Sequence, residues 1–171
     1  MTVGLTGTPG VGKTTVAEIL RNKGLKVLDL NNFIEDHGLR ENRDIVRDSY
    51  EVNINKLRNS VDIDEHEVIE GHLSHYLELE PIIVLRCEPN ELKKRMETKD
   101  WTKRKIKENI EAEVMDVILI EALDQSDAVC EIDTTEKSPE EVATEVIDVL
   151  KGNTDKYPVG KIDWTSSLTQ L

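Results

Sequence analysis

Apolar and polar positions along the chain fall into two kinds of run. Short, nearly unbroken apolar runs recur at Thr2–Thr6, Leu25–Leu28, His66–Glu70, Pro81–Arg86 and Asp127–Ile132. Runs of that length with little alternation mark strands covered on both faces. Between them, apolar residues recur at helical spacing. Val16, Ala17, Ile19 and Leu20 predict a helix ending near Lys23, with Gly24 as its C-terminal cap. Leu30, Phe33 and Ile34 give a weaker helix over 29–37, ended by Gly38. Further helices are expected over 54–61, 90–97, 106–123 and 138–151; the last opens on Ser138-Pro139-Glu140-Glu141, a strong start signal. Strands alternating with helices predict an α/β fold: a five-stranded parallel sheet with helices on both faces.

Three stretches break this rhythm. Residues 40–53 are rich in charge and too poor in apolar positions to build a core, so they read as a surface insertion. Residues 93–107 carry eight Lys or Arg against two acids. From Gly152 a polar tail continues to residue 171, carrying Tyr157, Pro158 and Trp164.

Composition narrows the classes. At 171 residues the chain suits one domain. A net charge of −13 and a pI near 4.8 argue against broad binding to a nucleic-acid backbone, which needs clustered cations. No signal peptide or membrane span is visible, and the balance of 37% hydrophobic and 33% charged residues suits a soluble cytoplasmic protein. Cys87 and Cys130 lie far apart, each in an apolar run, and read as buried thiols rather than a disulfide.

The candidate chemistry starts at Gly7-Thr-Pro-Gly-Val-Gly-Lys-Thr14, which is G-x-x-x-x-G-K-[ST], between the first strand and the first helix. Glycines let the backbone curl so that successive N–H groups face anionic oxygens. The helix N-terminus adds unpaired donors and a positive dipole end. Lys13 can reach the β- and γ-phosphates of a nucleoside triphosphate, and the Thr14 hydroxyl can hold Mg²⁺. ATP and Mg²⁺ are therefore the expected ligands. Ligands in parallel sheets bind at the carboxyl ends of strands. Asp29, Glu70 and Arg86 fall at or past such ends, so charged residues are expected to gather on that rim. Glu70 is placed to help hold Mg²⁺, often through water. His72 reads equally well as a neighbour of the γ-phosphate and as a surface histidine. The cationic stretch reads as a lid over the phosphates, with Arg95, Lys99, Lys103 and Arg104 as candidates for neutralising transition-state charge. Trp101 within it reads as a core anchor rather than a base-stacking partner. The acceptor is expected in the insertion, where Arg40, Arg43 and Arg47 could receive a nucleoside monophosphate. Their acidic neighbours make surface ion pairing an equal alternative.

With these motifs in place, the chain resembles the adenylate kinases of the nuclear and archaeal type (isoenzyme six). The resemblance rests on GTPGVGKTT, on E-G-H at 70–72, on V-L-R-C-E-P-x-x-L-x-x-R-M across 84–96, and on W-x-x-x-K-I-x-E-N-I-x-A-E across 101–113. It extends through about residue 150, and the tail with Lys161-Ile-Asp-Trp164 is similar to archaeal members. It implies a nucleoside monophosphate kinase fold with a monophosphate-binding region near 28–51 and a lid near 98–108. It implies Mg²⁺-dependent transfer of the ATP γ-phosphate to AMP, giving two ADP. By matching position, Gly10, Gly12, Lys13, Thr14 and Thr15 would contact ATP, and Glu70 and His72 stand where the family has its acid and histidine. The resemblance also implies an ATPase that binds a small-subunit ribosomal protein and assists maturation of the small ribosomal subunit and its RNA. Two positions depart from the family: Lys99 stands where an Arg is common, and Glu35 where relatives can carry one. A kinase for another acceptor, such as a different monophosphate or dephospho-coenzyme A, is the remaining alternative.

Overall fold

The structure, a computed structural model, describes residues 1–45 and 49–170. Its centre is β1, Val3–Gly7, fully buried. Four parallel strands flank it: β2 (Val27–Asp29), β5 (Val68–Glu70), β6 (Ile82–Arg86) and β7 (Val129–Asp133), in the order β2-β5-β1-β6-β7. Between β2 and β5 come β3 (Arg40–Asp44) and β4 (Ser49–Val52), which pair only with each other. The sequence predicts the five-stranded parallel sheet, and the structure has it.

Burial on both faces explains the unbroken apolar runs. Along β6, Ile83 and Leu85 face one core with Val3 and Leu5, while Ile82 and Val84 face another with Leu119 and Ala122. The first face is covered by α1 (Lys13–Asn22), α4 (Pro89–Glu97), α5 (Lys103–Val114) and α7 (Pro139–Leu150). The second is covered by α6 (Val117–Gln125), and beside it Leu30 and Ile34 of α2 (Leu30–Asp36) and Leu57 of α3 (Ile54–Ser60) close over Ile69. The start signal at Ser138 is a full capping box, its hydroxyl and the Glu141 carboxylate exchanging bonds with each other's backbone N–H.

Two expectations need correction. The helix predicted over 106–123 is two helices. Asp116 adopts a left-handed conformation (φ 55°) between α5 and α6 and turns its carboxylate to Arg86. Continuous apolar spacing conceals a break that a distant guanidinium helps to hold. Arg86, in turn, is not a rim charge. It is 1% exposed and pairs with Glu113, Asp116 and Glu131. Burial alone would lower its pKa, but Glu113 and then Asp116 outweigh that and raise it. The polar tail is fastened to the fold. Tyr157 and Trp164 pack against the main core, and the Tyr157 carbonyl accepts from the Glu131 N–H at 3.1 Å. The insertion is on the surface as expected, but it is an antiparallel hairpin, with the Arg40 guanidinium 4.9 Å above the Tyr50 ring. Both cysteines are buried and free.

Candidate active site

The route of the chain through the sheet places the site. From β1 the chain moves outward to β2, returns to β5, then crosses β1 to reach β6. The connection leaving β1 runs to one side and the connection leaving the adjacent β5 runs to the other, so a crevice opens beyond their carboxyl ends. A cleft of about 620 Å³ lies there.

The floor is the loop from Gly7 into α1. Gly7 has φ 144°, and a Cβ on it would lie 2.5 Å from the Leu85 carbonyl oxygen, so only glycine lets β1 turn so close to β6. Gly12 is the N-cap of α1 at φ 109°, with no side chain capping the first turn. The amides of that turn are therefore left to an anion in the cleft. The Lys13 ammonium donates to the Gly7 carbonyl at 2.6 Å and the Thr8 carbonyl at 3.2 Å, curled back over its own loop. Burial lowers its pKa to about 8, against the opposing pull of Glu70 and Glu113.

Glu70 ends β5 at the cleft wall, 1% exposed. Its Oε2 is buried without a hydrogen-bond partner. Burial first, then Asp29, raise its pKa, while Lys13 and Arg21 act the other way. An orphaned carboxyl oxygen at the lining of the cleft, with Thr14 in the same lining, is a donor set that fits a divalent cation. Among the described residues no cluster of three His, Cys, Asp or Glu could hold a metal ion alone. His72 lines the same cleft, and burial together with Lys13 lowers its pKa to about 4. At neutral pH it is an uncharged hydrogen-bonding ring.

The other end of the cleft is framed by Arg95 of α4, Lys99 and Trp101 of the α4–α5 connection, and Thr134, Lys137 and Pro139 after β7. Arg95 donates to the Val11 carbonyl (3.3 Å), to the Thr134 hydroxyl and carbonyl, and to the Thr135 carbonyl (3.2 Å). It joins the phosphate loop to the loop after β7. Trp101 packs against the main core and also lines the cleft, with the Lys99 and Lys105 ammonium groups 5.3 and 4.8 Å from its ring centre.

Of the residues singled out in the sequence, the cleft brings together Gly10, Gly12, Lys13, Thr14, Thr15, Glu70, His72, Arg95 and Lys99. Others lie away from its lining. Asp29 caps α2, accepting from the Asn32 N–H at 2.9 Å. Arg40 pairs with Glu35 at 3.5 Å. Arg104 pairs with Glu108 at 2.9 Å, and Lys103 is exposed at the start of α5. Arg43 stands in β3, on the hairpin, and Arg47 lies outside the described residues. Sequence reasoning missed Asn31, Thr98, Thr134 and Lys137. Thr134-Thr-Glu-Lys137 carries no motif, and only the strand-to-helix turn after β7 could have flagged it.

Comparison with known proteins agrees with this geometry. A family model described as an AAA domain matches residues 3–116. Proteins named "Putative adenylate kinase" are similar over nearly their whole length. The one from Archaeoglobus fulgidus is 42% identical, covering 98% of this chain and 94% of its own. That of Pyrococcus furiosus is 43% identical over 100% and 95%. That of Methanocaldococcus jannaschii is 39% identical over 96% and 93%.

Proposed function

The chain belongs to the adenylate kinase-like family of P-loop proteins, and on that premise we propose that it transfers the γ-phosphate of Mg·ATP to AMP, giving two ADP. The observation that carries the reading is the meeting, in one cleft, of the uncapped first turn of α1, the Lys13 ammonium and the unpartnered Glu70 oxygen. Gly10, Gly12, Lys13, Thr14 and Thr15 hold the triphosphate. Thr14 and Glu70 would hold Mg²⁺, which would neutralise phosphate charge. Thr134, Lys137 and Pro139 border the purine, and Arg95 fixes their loop. Lys99 supplies the mobile cation from a lid over 98–108, which closes and excludes water so that AMP, not water, is the acceptor. Neutral His72 donates a hydrogen bond at the transferred group. AMP is received by the region 28–51, whose Asn31 lines the cleft; Asp29, Arg40, Arg43 and Arg47 remain the contacts expected from the sequence. Placement in the isoenzyme-six type and a cytoplasmic setting belong to the same reading. No helix among the described residues is long and apolar enough to cross a membrane.

The test is product formation. With Mg²⁺ and ATP, adding AMP should raise ADP output far above the slow ATPase background, and Lys13→Ala should abolish both. Equal rates with and without AMP reject the kinase reading. Replacing AMP by other monophosphates or dephospho-coenzyme A settles the acceptor.

A second reading is an ATP-driven assembly factor for a small-subunit ribosomal protein. It is favoured by the net charge of −13 together with exposed apolar side chains at Met115, Val117, Ile120 and Leu123, on and beside α6. Pull-down of that protein should weaken on adding ATP, and Lys13→Ala should remove the effect. Nucleotide-insensitive capture argues against it.

A further inference from the structure

Behind the phosphate loop lies a carboxylate that touches neither cleft nor solvent. Glu113 projects from the last turn of α5 and is 2% exposed. Its Oε2 accepts from the Thr8 hydroxyl at 2.6 Å. Its Oε1 accepts from Arg86 Nε at 2.9 Å, the Cys87 N–H at 3.1 Å and the Trp164 indole N–H at 3.2 Å. Arg86 also reaches Glu131, whose other oxygen accepts from the Gly160 N–H at 2.7 Å. Two fastenings of the C-terminal segment, at Gly160 and Trp164, thus end on the network that holds Thr8.

Thr8 is no passive member of the loop. Its carbonyl accepts from the Val11 N–H at 3.3 Å and from the Lys13 ammonium at 3.2 Å. A continuous polar chain therefore runs Trp164–Glu113–Thr8–Lys13. Taking a carboxylate and a guanidinium out of water is costly, and well-packed apolar groups would often serve stability as well. What the polar solution adds is direction: the two oxygens lie in one rigid plane, so the donors on Oε1 orient the oxygen that holds Thr8. Phosphate loops need such placement, because small misplacements of donors cost much of their effect.

We propose that Glu113 is a positioning residue of the phosphate loop, and that docking of Trp164 tunes Mg·ATP binding through it. This rests on the reading that the loop binds Mg·ATP. The C-terminal segment is then a functional part of the nucleotide site, although none of its described residues lines the cleft.

The experiment uses the full chain. Trp164→Phe keeps an aromatic ring and removes only the indole donor, while Thr8→Val removes the hydroxyl at the other end. Each should weaken Mg·ATP binding by calorimetry about three- to tenfold. The double variant should be no weaker than the poorer single one, since both cut the same chain. In the unmutated protein, the indole ¹⁵N–H resonance of Trp164, assigned by its loss in Trp164→Phe, should move on saturation with Mg·ATP. That movement should shrink in Thr8→Val. A folded Trp164→Phe protein with unchanged affinity overturns the proposal. So do effects that simply multiply, or an indole resonance blind to nucleotide. If Trp164→Phe does not fold, the resonance is assigned by elimination with Trp101→Phe, and its behaviour in the unmutated protein and in Thr8→Val decides. Absence of any Mg·ATP heat with the unmutated chain overturns the nucleotide reading and this proposal together. Normal binding there with an unchanged Trp164→Phe overturns this one alone.

Discussion

The guanidinium of Arg95 donates to both the hydroxyl (3.1 Å) and the carbonyl (3.0 Å) of Thr134, 39 residues further along the chain. One side chain on α4 therefore sets the loop at one end of the cleft, and the Nη1 that donates to the Thr134 hydroxyl also reaches the Val11 carbonyl in the phosphate loop. A lysine has no fork with which to hold these acceptors together. Arg95→Lys should lower stability by about 1–2 kcal/mol, read from urea unfolding. It should also weaken ATP binding more than AMP binding. Equal loss for both nucleotides would place Arg95 elsewhere in the mechanism.

Lys13 gives a pH signature to triphosphate binding. Its pKa of about 8 in the free protein means that it loses its charge as pH rises past that value. A bound polyphosphate favours the charged form and raises the pKa, so binding above pH 8 must take up a proton. Mg·ATP affinity should therefore fall as pH rises from 8 towards 10. Calorimetry in buffers of different ionisation enthalpy at pH 9 should show uptake approaching one proton. A flat affinity over that range would contradict the buried ammonium.

Two histidines that follow β5, His72 and His75, are both held neutral. His75 is wholly buried, its Nδ1 3.0 Å from the Thr6 hydroxyl and its Nε2 3.2 Å from Glu121. Burial lowers its pKa to about 4, as burial does for His72. A base whose folded pKa is depressed lets the unfolded chain bind protons first. Stability is thus full above pH 6.5 and is lost as pH falls from 6.5 towards 4. Histidine NMR should show both rings still neutral at pH 5.5. Urea midpoints should decline across that window, and His75→Gln should flatten part of the decline.

Asp116 performs two tasks, a left-handed backbone turn and an ion pair with Arg86. Asp116→Ala loses both, and with the carboxylate 32% exposed the cost should be about 1–3 kcal/mol in urea unfolding. Asp116→Asn tolerates the turn and keeps an acceptor, so it should cost less. If the two variants are equally unstable, the charge and not the backbone dominates.

Much of this protein was legible one residue at a time. Gly-x-x-x-x-Gly-Lys-Thr before an amphipathic run fixes a strand, a loop and a helix locally, because backbone freedom and N-terminal dipoles act over a few residues. Unbroken apolar runs such as Ile82–Leu85 dictate strands buried on two faces, and the cleft lining at Gly10–Thr15, Glu70 and His72 follows from strand ends. Long-range pairing was not legible. Arg86 looks like a rim cation until Glu113, Asp116 and Glu131 arrive from α5, the turn after it and β7. Residues 106–123 look like one helix until Asp116 turns to meet that guanidinium. Trp164 looks like part of a polar tail until its indole meets Glu113, 51 positions away. Local spacing encodes which face of an element is apolar. Only the folded chain decides which buried charges find one another, because that choice depends on desolvation and distance rather than on neighbours in sequence.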